Sequence, residues 1–128
     1  MLEAGPAGRE RRLLLLDDER DFLDMLAGAL SRRDYEVVAV AHVDAALAAA
    51  RGAHFALCIT DFKMPDTDGL QVVKALKEAD PQLPIIVTSG YVSAAQWAAL
   101  RESGATTFLQ KPFTFDDLRA AMLLCERG

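Results

Sequence analysis

Asp17 and Asp18 follow the apolar run RLLLL (12–16), Asp61 follows FALCIT (55–60), Ser89 follows PIIVT (84–88), and Lys111 follows TTFLQ (106–110). Three carboxylates, a hydroxyl and an ammonium therefore stand at the exits of four short apolar segments. A fifth run, EVVAVA (36–41), leads to His42 and brings no comparable group. Carboxylates drawn to one place repel: at about 5 Å and an effective dielectric of about 20 the cost is roughly 3 kcal/mol, about two pKa units. Ionising all three calls for compensation. A hard, oxygen-seeking divalent cation together with Lys111 would supply it, and Mg²⁺ suits because it needs few carboxylates and keeps waters that a phosphate can displace. The chemistry implied is phosphoryl chemistry.

These groups meet only if the runs lie side by side, and the intervening segments suggest how. Phe22, Leu26 and Leu30 recur at four, Leu70, Val73 and Leu76 at three, and Phe115, Leu118, Met122 and Cys125 at three and four, each making one apolar stripe of a helix. Asp68 with Gln71, Ser93 with Gln96, and Thr114 with Asp117 have the spacing of a capping box, and Gly52 and Gly104 stand where helices should close. Nearly continuous apolar strands alternating five times with helices imply a parallel sheet covered on both faces. The expected class is doubly wound α/β, five strands and five helices. Ligands of such sheets bind outside the carboxyl ends of the strands, which is where the five groups fall.

Composition bounds the rest. The 128 residues suit one domain, and 52% hydrophobic with 26% charged residues allow a packed core. A net charge of −5 argues against capture of nucleic acid or anionic lipid. Cys58 and Cys125 are too few for a disulfide framework, so reduced thiols and a cytoplasmic setting are expected. No stretch has the length of a membrane span, and MLEAGPAGRERR lacks the apolar core of a secretory signal. Residues 1–10 are expected to form a disordered tail and 11–127 the folded domain. Gly128 directly follows the fifth helix, so no output domain is expected behind it.

The motifs LLLLDD, DFKMPDTDG, TSGY and FLQKPF, with their mutual spacing, resemble the response-regulator receiver domains of two-component signalling systems, from residue 12 to about 126. The resemblance implies a flavodoxin-like receiver fold with strand order 2-1-3-4-5, one of the common orders of doubly wound sheets. It implies that Asp61 accepts a phosphoryl group from a histidine kinase or histidine phosphotransfer protein. Asp18 would bind Mg²⁺ directly, Asp17 mainly through water, and the Lys63 backbone carbonyl would add a ligand. Ser89 would donate to a phosphoryl oxygen and Lys111 would pair with its charge. Phe108 matches the aromatic switch position, and Lys63 and Tyr91 match positions that modulate phosphoryl lifetime. The Lys111–Pro112 bond is expected to be cis, the output a phosphorylation-dependent protein-binding face on the fourth and fifth helices, and the assembly a monomer or weak dimer. Such a chain catalyses only its own phosphorylation and dephosphorylation.

Each residue has a plainer reading. Asp17 and Asp18 could start a helix, Ser89 could serve a turn, Lys111 could be solvated, and Phe108 and Trp97 could be core. The joint spacing favours the site. A phosphate sink or a constitutive scaffold are the alternatives within the family. A small aspartyl-phosphate phosphatase would want a second Asp two residues after Asp61, where this chain has Lys63. Two positions depart from the family pattern: Thr67 replaces a bulky apolar residue, and Asp34 stands where a turn glycine is common.

Overall fold

A computed structural model describes residues 11–65 and 67–127; the expectation of a tail over 1–10 falls outside them. The strands are β1 (Arg12–Leu16), β2 (Glu36–Val40), β3 (Leu57–Asp61), β4 (Ile85–Ser89) and β5 (Thr107–Gln110). The helices are α1 (Arg20–Ser31), α2 (Val43–Gly52), α3 (Gly69–Ala79), α4 (Ala94–Glu102) and α5 (Phe115–Arg127). Within their one sheet all four pairings are parallel, in the order β2-β1-β3-β4-β5. This is the expected doubly wound receiver topology. β1 has the limits read from the sequence, the other strands differ by one or two residues, and Asp61 proves to be the last residue inside β3.

Side-chain alternation sorts the core into two layers. Leu14, Leu16, Cys58, Ile85 and Val87 point to the face covered by α2, α3 and α4. Leu13, Leu15, Leu57, Ile59 and Ile86 point to the face covered by α1 and α5. Because β1, β3 and β4 are buried on both faces, their sequences read as unbroken apolar runs. Burying each Leu or Ile is worth about 1.5–3 kcal/mol, so a register slip in these strands is heavily penalised.

Local signals act as expected in most places. Ser93 and Gln96 form a complete capping box at α4, and Thr114 and Asp117 exchange reciprocal bonds at α5. Asp68 instead accepts from the Leu70 N–H, an N-cap bond to the second helical residue, so the expected box with Gln71 is not made. Asp68 is also paired with Lys63 in a two-residue antiparallel ladder whose other pair is Met64 with Thr67. The β-branched Thr67 fits this extended position; nothing in the structure explains its departure from a bulky apolar residue. Gly69, next in line, has no room for a Cβ: one would fall 2.5 Å from the Phe62 carbonyl oxygen.

Two turn expectations divide. Asp34 has φ of 69°, the left-handed conformation that a turn glycine would adopt more cheaply. Gly104 closes α4 with φ of 114°. Gly52, in contrast, is the last residue of α2 itself and the chain leaves through extended Ala53, so it makes no left-handed cap.

Candidate functional site

The carboxyl ends of β1, β3 and β5 bring the sequence-derived groups together. Oxygens of Asp17, Asp18 and Asp61 lie within 4.8 Å of one another, with Asp17 and Asp61 buried and Asp18 exposed. Lys111 reaches in from the far side. Its Nζ is 2.8 Å from Asp17 Oδ2 and 3.7 Å from Asp61 Oδ1. The lysine is placed by the sheet, since its N–H donates to the Ser89 carbonyl at 2.8 Å and so extends the β4–β5 ladder by one residue. The Lys111–Pro112 bond is cis, as the sequence led one to expect.

Electrostatics show what the protein alone leaves unbalanced. Burial pushes the Asp61 carboxyl up to about 6; Lys111 opposes the rise, Asp17 adds to it, the Lys63 backbone N–H opposes it, and Asp18 adds to it. Burial works against a charged Lys111, but its hydrogen bond to Asp17 and the charges of Asp17, Asp61 and Glu19 more than offset that and hold its pKa above the usual value. One ammonium thus serves several carboxylates. The donor set, all carboxylate oxygen with an excess of negative charge, fits a hard divalent cation.

Two neighbours of Lys111 were not singled out as site residues. Glu19 Oε1 lies 3.5 Å from its Nζ, and the Phe22 ring lies beneath the ammonium at 4.3 Å. Phe22 is itself braced edge-on by Phe113, ring centroids 5.8 Å apart. Glu19 continues the run DDE, a visible signal. Phe22 carried only the helical stripe, which reports burial and not which charge the ring will meet.

The remaining expected residues surround the cluster without closing on it. Ser89 is buried at the end of β4, and its hydroxyl donates to the Tyr91 carbonyl at 3.1 Å while accepting from the Tyr91 N–H at 3.3 Å. Tyr91 is 67% exposed, and Lys63 is an exposed residue of the short ladder. Phe108 is half-buried and packs against Trp97 with ring centroids 6.1 Å apart, so Trp97 is a packing residue of α4.

The family model for the response regulator receiver domain matches residues 13–123. The chain belongs to that family. This receiver domain is 36% identical over 121 residues to the photosynthetic apparatus regulatory protein RegA of Rhodobacter capsulatus, covering 94% of the chain and 66% of RegA. It spans just under two thirds of that relative's length. Among solved structures, the chemotaxis protein CheY4 of Vibrio cholerae superposes with a TM-score of 0.82 at 30% identity, covering 88% of this chain and 95% of that one. A response regulator from Burkholderia pseudomallei, described with a phosphorylated aspartic acid, a calcium ion and citrate, also gives 0.82 at 30% identity, covering 88% and 66%. Receiver domains of this family work in two-component signalling with histidine kinases and downstream effectors. Among the described residues of this receiver, no helix is long and apolar enough to cross a membrane.

Proposed function

We propose that this receiver takes a phosphoryl group onto Asp61 from the phosphohistidine of a kinase or phosphotransfer protein in the cytoplasm. One observation carries the reading: the buried carboxylate at the end of β3 has Lys111 at 3.7 Å and two further carboxylates within 4.8 Å. An Asp61 oxygen forms the new bond to phosphorus as the P–N bond breaks, and the imidazole nitrogen keeps that electron pair. Asp17, Asp18, Asp61 and the Lys63 carbonyl would hold Mg²⁺. When bound, the cation would neutralise charge on the transferring group. Lys111 would move its charge toward the phosphoryl oxygens, and the Ser89 hydroxyl would donate to one of them. Phe108 would turn toward the space Ser89 leaves. The downstream protein would then bind the α4–β5–α5 side, where Leu124, 53% exposed, lines a groove with Phe108 and Pro112. On this reading the chain turns over no free substrate and catalyses only its own phosphorylation and dephosphorylation.

Acetyl phosphate with and without Mg²⁺, followed by intact-mass and fragment mass spectrometry, tests the assignment. One phosphoryl unit on Asp61 is expected, lost on adding excess chelator and absent from Asp61→Asn. Undiminished labelling of that variant, or in chelator, rules the assignment out.

A further inference from the structure

The β4–α4 loop carries a hydrogen bond that the phosphoryl chemistry does not use. Gln110, the last residue of β5 and the ladder partner of Ser89, sends its side-chain amide Nε2 to the Gly90 carbonyl at 3.1 Å. A carbonyl oxygen only accepts, so the amide nitrogen must face it. Both residues are exposed, so this bond fills no core and completes no helix end.

Its effect is on Ser89. The single hydroxyl proton of Ser89 is committed to the Tyr91 carbonyl, and the Tyr91 N–H returns to the same oxygen. Gly90 lies between the two residues of this reciprocal pair. Tying the Gly90 carbonyl to β5 holds the loop in the arrangement that keeps the Ser89 proton occupied. For Ser89 to donate to a phosphoryl oxygen, its hydroxyl must leave the Tyr91 carbonyl, which a shift of the loop away from Ser89 would bring about.

Gly90 gives the loop the freedom to take a second conformation. A Cβ built on it would meet nothing within 4 Å, and its φ lies outside the left-handed region, unlike Gly104 at 114°. Here the loop has no steric or conformational need of glycine. Glycine widens the range of backbone conformations open to the loop beyond this one.

We propose that Gln110 is a positioning residue, a latch that holds the β4–α4 loop in the phosphoryl-averse state, and that Gly90 is the hinge on which the loop turns when the latch opens. This rests on the reading of Ser89 as a phosphoryl ligand. A ligand that needs the open loop binds with an affinity reduced by the closed fraction, so removing the latch tightens binding.

The test uses the full chain, Gln110→Met, which keeps length but has no donor, Gln110→Lys, which restores one, and Gly90→Ala. Amide hydrogen exchange is read without ligand, and Mg²⁺ with beryllofluoride, a phosphoryl mimic, is titrated by Trp97 fluorescence. Gln110→Met should speed exchange of the Tyr91 N–H about threefold and lower the half-saturating beryllofluoride by a similar factor, the net effect of one exposed hydrogen bond. The Lys111 N–H, bonded to the Ser89 carbonyl, should keep its protection. Gln110→Lys should return both readings toward the parent. Gly90→Ala should keep Tm and the exchange pattern while raising the half-saturating concentration.

Unchanged exchange and binding in Gln110→Met overturn the latch and leave the Asp61 assignment standing, provided beryllofluoride binds the parent chain. Lysine and methionine variants that behave alike overturn it too, because the donor is then irrelevant. No binding of beryllofluoride to the parent chain removes the latch and the phosphoryl reading together.

Discussion

The two helices α3 and α4 cover the same face of the sheet, yet they are held very differently. α3 buries Gly69, Val72, Val73 and Leu76, whereas α4 buries Leu100 alone. The strands beneath repeat the contrast: every residue of β3 is buried, while β5 buries only Leu109. Asp61 sits at the tightly held end of this gradient, and Ser89 leads into the loosely held end. A reacting group benefits from strands that cannot shift, because small misplacements are costly in rate. A surface that must change benefits from few buried contacts, because local opening free energy follows them. On the proposed function, the fold would place chemistry and response a few strands apart by varying how much each helix buries.

The largest effects should come from deleting the anchors of the two helices. Leu76→Ala in α3 is expected to cost about 4 kcal/mol, because its neighbours are themselves buried and cannot collapse into the cavity. Leu100→Ala in α4 should cost about 3 kcal/mol, since a helix with one anchor can settle into the gap. Urea unfolding of both variants measures the difference. Equal costs, or the reverse order, would mean that α4 is as tightly held as α3.

At the chemical end, Lys111→Met should slow phosphorylation by acetyl phosphate about 100-fold while leaving the fold intact, a size typical of losing one preorganised charge that faces the transferring group. Pulsed mass spectrometry at saturating Mg²⁺ gives the rate. A change of less than fivefold would shift the burden of stabilisation elsewhere in the site.

The difference between the two ends also marks what was visible in the amino-acid order. Asp17, Asp18 and Asp61 were legible because each stands at the end of an unbroken apolar run, and such runs declare their ends; Lys111 was legible from its spacing and from the motif FLQKPF. Ser93 with Gln96 and Thr114 with Asp117 were legible because a capping box is local. The pairing of Glu19 and Phe22 with Lys111 was not, because those contacts join residues about ninety positions apart and depend on how α1 crosses the sheet. The direction of the Ser89 hydroxyl was hidden for another reason. It is a rotamer choice settled by the Tyr91 carbonyl, and no residue pattern encodes it. Gly52 marked the end of α2 correctly, but the left-handed cap common at such a glycine is replaced by extended Ala53.

The carboxylate cluster should also cost stability when no cation is present. Asp61 titrates at about 6 in the fold against an ordinary value of 3.8. Between those values the native state holds a proton that the unfolded chain has released, so stability falls as pH rises through the window and the loss is complete above it. Two units correspond to at most about 3 kcal/mol; the mouth of the site is open to water, so about 1–2 kcal/mol is expected. In chelator, Asp61→Asn should therefore be more stable than the parent at pH 7 by that amount, with the advantage gone at pH 4. Adding Mg²⁺ should raise the Tm of the parent and not of the variant. A variant less stable than the parent at pH 7 in chelator would mean that Lys111 and the Lys63 N–H already outweigh the burial of Asp61.

The smallest effect gives the sharpest view of the contrast, because it applies one kind of loss to both helices. Ser93→Ala removes the side-chain oxygen that accepts from Gln96 at the start of α4, and Asp68→Ala removes the one that accepts from Leu70 at the start of α3. Each cap is worth about 1 kcal/mol. What should differ is where the loss appears. In α3, four buried residues couple the first turn to the core, so the helix opens with the whole domain. Asp68→Ala should lower global stability and leave local exchange in α3 unchanged. In α4, one anchor near the far end leaves the first turns tied down mainly by the box, so Ser93→Ala should speed exchange at Gln96 and Trp97 several-fold even where Tm barely moves. Native-state hydrogen exchange at low denaturant separates local from global opening. If both substitutions register only globally, α4 unfolds as part of the core, and the loosely held flank would have to change as a rigid body that slides over Phe108 instead of a helix that frays from its first turn.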